Sequence, residues 1–339
     1  MLLQESLKQK VTEAVKKSLT FDILYQRIRP DISAFVAATS QLPLKSLDDW
    51  ERLIRWQIDS SFYASGYKRT GAEIQQVGSL RWLDLCHADG FRRERALRTL
   101  SVGAPNSFLF ALAVRKLNDW VPQVREAARE ALLSIAAASD PEVIVDVLFV
   151  TLPYWNSWGR ADEKEHEVLI DIISMENVTA SLKKRLICAS SGPAATVFTQ
   201  AGRTSVLDSF LSEIAKSSVQ PSMRAKAYRC LFEGKIVWSE GLEWKWIDKT
   251  FGVRRRVPVL KERILVVSRP FIETLKLAIV DRSPMVRRIA GEMLIKELEN
   301  MDEEALTMAT QLASDISESV AERGRFALAC IAKGKCGFY

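Results

Sequence analysis

The sequence predicts an all-α chain, an α-solenoid of stacked helical hairpins, on three observations. First, one frame recurs without gaps, in Asp281-Arg-Ser-Pro284-Met-Val286-Arg287-Arg-Ile-Ala290-Gly-Glu-Met-Leu294, in Asp119-Trp-Val-Pro122-Gln-Val124-Arg125-Glu-Ala-Ala128-Arg-Glu-Ala-Leu132 and in Ser218-Val-Gln-Pro221-Ser-Met223-Arg224-Ala-Lys-Ala227-Tyr-Arg-Cys-Leu231. Self-similarity of this kind is the signature of repeat architectures. Second, apolar residues elsewhere recur at three- and four-residue steps, the helical period. Third, 15 Gly and 11 Pro in 339 residues are too few for a β-rich or disordered chain, while 47% apolar content supplies a core.

Each position of the frame has a mechanical reason. Pro fits the first turn of a helix, where its missing N–H would be unpaired anyway. The Asp or Ser three residues earlier bonds exposed amides of the turn. Val, Ala and Leu at offsets 0, +4 and +8 form one helix face, and the small Ala admits a neighbouring helix. The Arg after Val sits at the edge of that face, within reach of an Asp carboxylate on an adjacent turn.

This frame resembles the HEAT repeat, a helical hairpin whose second helix opens with Asp-x-x-Pro-x-Val-Arg-x-x-Ala. The resemblance implies a right-handed superhelix in which Asp and Arg form a ladder between successive repeats. Asp119, Arg125, Arg224, Asp281 and Arg287 are the ladder residues it implies, with Ser218 replacing the acid in the third copy. A degraded fourth copy runs from Asp315 through Val320 to Leu328, without Pro or Arg.

In chain order, one amphipathic helix is expected from Leu2 to Ile28, then helices at Asp31 to Thr39 and Leu47 to Phe62, with a polar loop at Gly66 to Gly71. Residues 1–70 are thus an N-terminal helical capping region, and residues 71–339 carry the repeats. Ile74 to His87 and Phe91 to Ser101 form a possible hairpin in which Arg93, Ala96 and Leu100 echo the frame. Arg92, Arg93, Arg95 and Arg98 make a basic stripe there, read as a solvated face. Helices follow at Phe108 to Asn118, Pro122 onward, Val143 to Thr151, Asp162 to Met175, Val178 to Ser190, Ala194 to Gln200 and Thr204 to Ser217. Phe271 to Val280 pairs with Pro284 to Leu298, and Glu304 to Ala313 with Val320 to Ala332, before a loose tail.

The repeat also works as a ruler. Pro122 and Pro221 lie 99 residues apart, three steps of 33, but Pro221 and Pro284 lie 63 apart. The excess is an insertion at about 234–269. It holds nine Lys or Arg against four acids, and with them Trp238, Trp244 and Trp246. Trp faces beside the triplet Arg254, Arg255 and Arg256 make it the first candidate for binding a partner. The loop Tyr154-Trp155-Asn-Ser-Trp158 is the second, with Tyr154, Trp155 and Trp158 as its contact residues.

Catalytic signatures are missing: the sequence has no phosphate loop, dinucleotide fingerprint, nucleophile elbow or H-E-x-x-H. His87 beside Cys86 would point away from it on a helix, and His166 lacks the second His of a zinc site. Five Cys at scattered spacings support neither disulfide framework nor zinc ribbon, and Cys188 and Cys230 are read as small core residues. No enzyme activity, cofactor or metal is expected. The leading expectation is a scaffold that binds a protein partner through its concave face and the insertion. Nucleic acid is the alternative partner, compatible with the net charge of +6. A more distant one is an alkylpurine DNA glycosylase, a HEAT-like enzyme whose concave Trp, Asp and Arg are loosely matched by Trp120, Asp119 and Arg125. No apolar run reaches bilayer length and no signal peptide is evident, so a cytoplasmic protein without membrane attachment is expected.

Overall fold

The computed structural model describes residues 2–22, 27–65, 80–301 and 304–333. The chain is mostly helical and divides into two compact units, residues 1–181 and 182–339. The expected loop at Gly66 to Gly71, the start of the expected helix at Ile74 and the tail beyond Lys333 lie outside the described residues.

In the first unit, α1 (Leu2–Ser18) leads into an antiparallel hairpin of β1 (Leu19–Asp22) and β2 (Arg27–Pro30), Leu19 opposite Pro30. The expected helix to Ile28 therefore ends ten residues early. A short run mixing Leu, Thr, Phe and Ile with polar residues satisfies strand and helix periods alike, and here the strand wins. Then come α2 (Ser33–Thr39), α3 (Leu47–Ser65), the single turn α4 (Arg81–Asp84), α5 (Gly90–Thr99), α6 (Ser107–Arg115), α7 (Pro122–Ala137), α8 (Pro141–Thr151) and α9 (Glu163–Ile173). Side chains open several of them. Asp89 accepts from Phe91 N, Asn106 from Leu109 N and Asp140 from Glu142 N, while Asp162 and Glu165 form a capping box. Every residue from Phe108 to Val114 is buried, so α6 is the unit's central helix, packed against α3, α7 and α8.

Helix α10 (Glu176–Cys188) carries the chain into the second unit. Its apolar face is Val178, Leu182 and Leu186, at four-residue steps. Cys188, two residues further, falls off that face and is exposed, which corrects its reading as a core residue. Cys230 is buried, and loss of hydration pushes its thiol up to about 12. The unit continues with α11 (Ala194–Ala201), a 3₁₀ stretch (Ser205–Phe210), α12 (Leu211–Ser217) and α13 (Pro221–Glu233). Gly234, at φ 64°, ends α13 in the left-handed conformation that suits glycine, and the chain turns into β3 (Lys235–Asp248) and β4 (Val253–Ile264). Among the described residues, the four strands β1 to β4 are where the chain departs from the all-α expectation. Then follow α14 (Phe271–Ile279), α15 (Pro284–Glu297), α16 (Glu304–Ala313) and α17 (Glu318–Lys333), with α13 packed on α12, α14 and α15, and α15 on α16 and α17.

The frame positions have a constant geometry. Val124, Ala128 and Leu132, then Val286, Ala290 and Leu294, are fully buried, as are Met223 and Ala227. In two of the three clean copies, though not at Arg125, the Arg donates two bonds to the Asp of the following frame. Arg224 Nε and Nη2 reach Asp281 at 2.9 Å each, and Arg287 pairs likewise with Asp315. Arg93 forms the same pair with Asp119, at 2.9 and 2.8 Å. Each Arg also donates Nη1 to the carbonyl six residues before it: His87 for Arg93, Asp119 for Arg125, Ser218 for Arg224, Asp281 for Arg287. Each Asp accepts, besides Arg, the backbone N–H two residues on, at Val121, Ser283 and Ser317. The reading of Arg93 as part of a solvated stripe is thereby corrected. It is 1% exposed and occupies the Arg position of the frame, although Pro and Val are replaced around it.

The hydrogen bonds from Arg287 hold the Asp315 carboxyl below its ordinary range. A carboxyl that ionises more readily when folded stabilises the protein above its unfolded pKa of about 3.9, and that contribution fades as pH falls below it. The stability gap between the parent and Asp315→Asn is therefore expected to be widest near neutrality and to shrink below about pH 4. Denaturant unfolding across pH 3 to 7 measures it, and a constant gap contradicts the assignment.

Candidate functional site

Between α13 and α14 the insertion folds as one antiparallel ribbon, with Lys235 opposite Ile264 at its base and Asp248 opposite Val253 at its tip. At the turn, Asp248 Oδ1 accepts from Thr250 N and Phe251 N, and Gly252 takes the left-handed φ of 66° that closes the hairpin. A register shift between Ser239 and Gly241 leaves Glu240 as a bulge, within 2.8 Å of Lys261 and 3.8 Å of Arg203.

The base is fastened to the helices by buried polar bonds. Arg263 donates to the carbonyls of Gly202 and Thr204 at 2.6 Å each, and to both Asp208 oxygens at 2.8 and 2.6 Å. Asp208 also accepts Val266 N at 2.9 Å, so one buried carboxylate ties together the end of β4 and the 3₁₀ stretch before α12. Gln200 Nε2 donates to Ser239 O at 2.8 Å. Ile236 is buried over Gly202, where a Cβ would stand 2.1 Å from Ile236 Cδ1. A side chain at 202 would push the Ile236 methyl out of that seat. Trp238 is half-buried here beneath the Arg203 guanidinium, which lies 5.9 Å from its ring. It belongs to the anchor rather than to the free surface.

The tip is the opposite. Trp244 and Trp246 are 53% and 51% exposed, and Phe251 is 82% exposed. Residues opposite one another on a ribbon share a face. Trp244 lies opposite Arg256 and Trp246 opposite Arg254, so these four form one face, while Lys245 and Arg255 form the other. The guanidinium of Arg254 lies 4.5 Å from the Trp244 ring and 6.0 Å from that of Trp246, and Arg256 lies 5.0 Å from Trp244. The insertion's charge is thus of two kinds. Lys235, Lys261 and Arg263 pair with Glu262, Glu240 and Asp208 at the base. Lys245, Arg254, Arg255 and Arg256 have no carboxylate partner among the described residues.

The aromatic loop of the first unit is dispersed. Trp155 is fully buried with its ring 4.6 Å from His166, a core residue and not a contact residue. Trp158 is half-buried under Arg115, and Tyr154 alone of the three is exposed. Of the glycosylase-like set, Trp120 is exposed, but Asp119 is buried and committed to Arg93, and Arg125 bonds the Asp119 carbonyl. Among the described residues no cluster of His, Cys, Asp or Glu could hold a metal ion, and no helix is long and apolar enough to cross a membrane.

No protein-family model, curated protein or solved structure matches the chain.

From sequence alone Arg263 counts only among the insertion's cations, and Gln200, Gly202 and Asp208 have no role in holding it. These three lie about sixty residues before Arg263 and share no spacing rule with it, and only the fold brings them together. The base and tip differ testably. Asp208→Ala leaves the half-buried Arg263 guanidinium without its counter-charge and is expected to lower the stability of the chain by about 2 to 3 kcal/mol. Trp244→Ala with Trp246→Ala is expected to stay within about 1 kcal/mol of the parent, because neither ring is in the core. Chemical denaturation separates the two outcomes, and a large loss from the Trp pair contradicts the division into anchor and tip.

Proposed function

We propose that the protein is a non-enzymatic HEAT-like α-solenoid, wound as a right-handed superhelix, that serves as a scaffold or adaptor. Support for the repeat reading comes from the Arg–Asp pairs: three frame-like copies donate from Arg to the next Asp with the same atoms and the same second bond to a carbonyl. Stacked helical hairpins offer long concave surfaces suited to partner binding. In this reading a protein partner docks on such a face and on the Trp/Arg hairpin.

The observation that carries the binding role is the contrast within the hairpin. Its base is bonded at Gly202, Thr204 and Asp208, whereas its tip leaves Trp244, Trp246 and Phe251 in solvent. Large aromatics and Arg are the residue types enriched in interfaces. A rigidly held arm loses little conformational freedom on binding. A second reading, nucleic acid as the partner, is favoured by cations standing on both faces of the ribbon.

A photo-crosslinking side chain installed at Phe251 tests the arm itself. In cells of the source organism it is expected to give a discrete adduct, lost when Arg254→Glu and Arg256→Glu are added. The same probe at the exposed Ile316 is expected to give none. Equal adducts at both positions, or none at 251, contradict the proposal.

A further inference from the structure

The geometry points to B-form DNA as the ligand of the hairpin, with the tip of the ribbon lying in the major groove. This rests on the second reading above, in which the hairpin is the binding arm and nucleic acid its partner, and goes further by naming the form of nucleic acid and the groove.

Three features carry the inference. The first is where the unpaired cations lie. Lys245, Arg254, Arg255 and Arg256 fall in the tip-ward rows of the ribbon, from Trp244–Arg256 to Trp246–Arg254, while Lys235, Lys261 and Arg263 in the ribbon's base-ward rows are neutralised by Glu262, Glu240 and Asp208. The second is their distribution over both faces. A flat surface meets a ribbon on one face or on its end. A groove surrounds it with phosphates on either wall. The major groove of B-form DNA is about 12 Å wide and accepts a two-stranded ribbon. The third is the state of the guanidiniums. Arg254 lies over the rings of Trp244 and Trp246 and Arg256 over that of Trp244, while both arginines remain exposed to solvent. Side chains already placed lose less entropy on meeting a phosphate.

Aliphatic residues argue the other way in part. Leu242 and Leu260 are exposed but stand nearer the base than the cations do, whereas Ile247, Phe251 and Val253 are exposed beyond the cations at the turn, where the floor of the groove offers thymine methyls as their apolar contact.

The test uses the full chain and four fluorescent or sedimentable probes: a random-sequence 20-base-pair DNA duplex, the same sequence as an RNA duplex, oligo-dT, and vesicles containing phosphatidylserine. Expected is binding to the DNA duplex ahead of the other three. Its affinity should fall with salt, and each Arg removed should lower the logarithmic salt slope by about one. Arg254→Gln with Arg256→Gln is expected to weaken binding by about tenfold or more at low salt. Arg254→Lys with Arg256→Lys keeps the charge and should retain most of the salt slope. Preference for the RNA duplex, whose deep, narrow major groove excludes side chains, overturns the groove assignment. So does preference for single strands or vesicles, or the absence of DNA binding at low salt. Those results leave the arm to the crosslink at Phe251. DNA binding that the glutamine pair leaves unchanged overturns both the ligand and the arm.

Discussion

A guanidinium cannot shed its charge, so an arginine in a protein interior must be met by acceptors on every donor. That requirement organises both units of this chain. Arg224 is almost wholly buried and spends its donors on the Asp281 carboxylate and on the carbonyls of Ser218 and Val219. Asp281 in turn accepts the amide of Ser283 at the turn before α15. One carboxylate thus fixes the start of its own helix and the position of the preceding one. Arg93 with Asp119 and Arg287 with Asp315 repeat the device, and the helices they join cannot slide without stranding a buried charge.

The hairpin is held by the same chemistry put to a different use. Arg263 and Asp208 make a bidentate pair at its base, supplemented by two carbonyls and a backbone amide. Where the helical pairs join neighbouring helices, this one roots a ribbon whose far end leaves Trp244, Trp246 and Phe251 exposed. Fixing the base and leaving Arg254 and Arg256 laid over Trp244 and Trp246 gives an arm whose charged groups are placed before any partner arrives. Such preorganisation favours binding without any new contact in the core.

The sequence carried the helices well where the period was long and a cap was present, as at Pro122, Pro141 and Pro284. It failed at Leu19 to Pro30, where a short mixed run fits two periods, and at Cys188, which a face drawn through Val178, Leu182 and Leu186 would have excluded. The break in the spacing after Pro221 drew attention to the stretch that folds as the ribbon. Its strand character could have been read from the alternation Trp244, Lys245, Trp246 opposite Arg254 to Arg256. What no local pattern could give is the sorting of its charges. Arg263 and Arg254 look alike in sequence, and only the fold puts Asp208 beside one of them. Burial of Trp155 was hidden for the same reason, since its neighbours Tyr154 and Trp158 suggested a surface cluster.

If buried Arg–Asp pairs set the helix stack, the pair Arg224–Asp281 must be strongly coupled. A double-mutant cycle with Arg224→Met and Asp281→Leu, read by denaturant unfolding, measures this most directly. Each single change leaves an unmatched charge inside and should cost about 3 to 5 kcal/mol, while the double change should cost clearly less than the sum. A coupling of about 2 kcal/mol or more agrees with the account, and additive single costs contradict it.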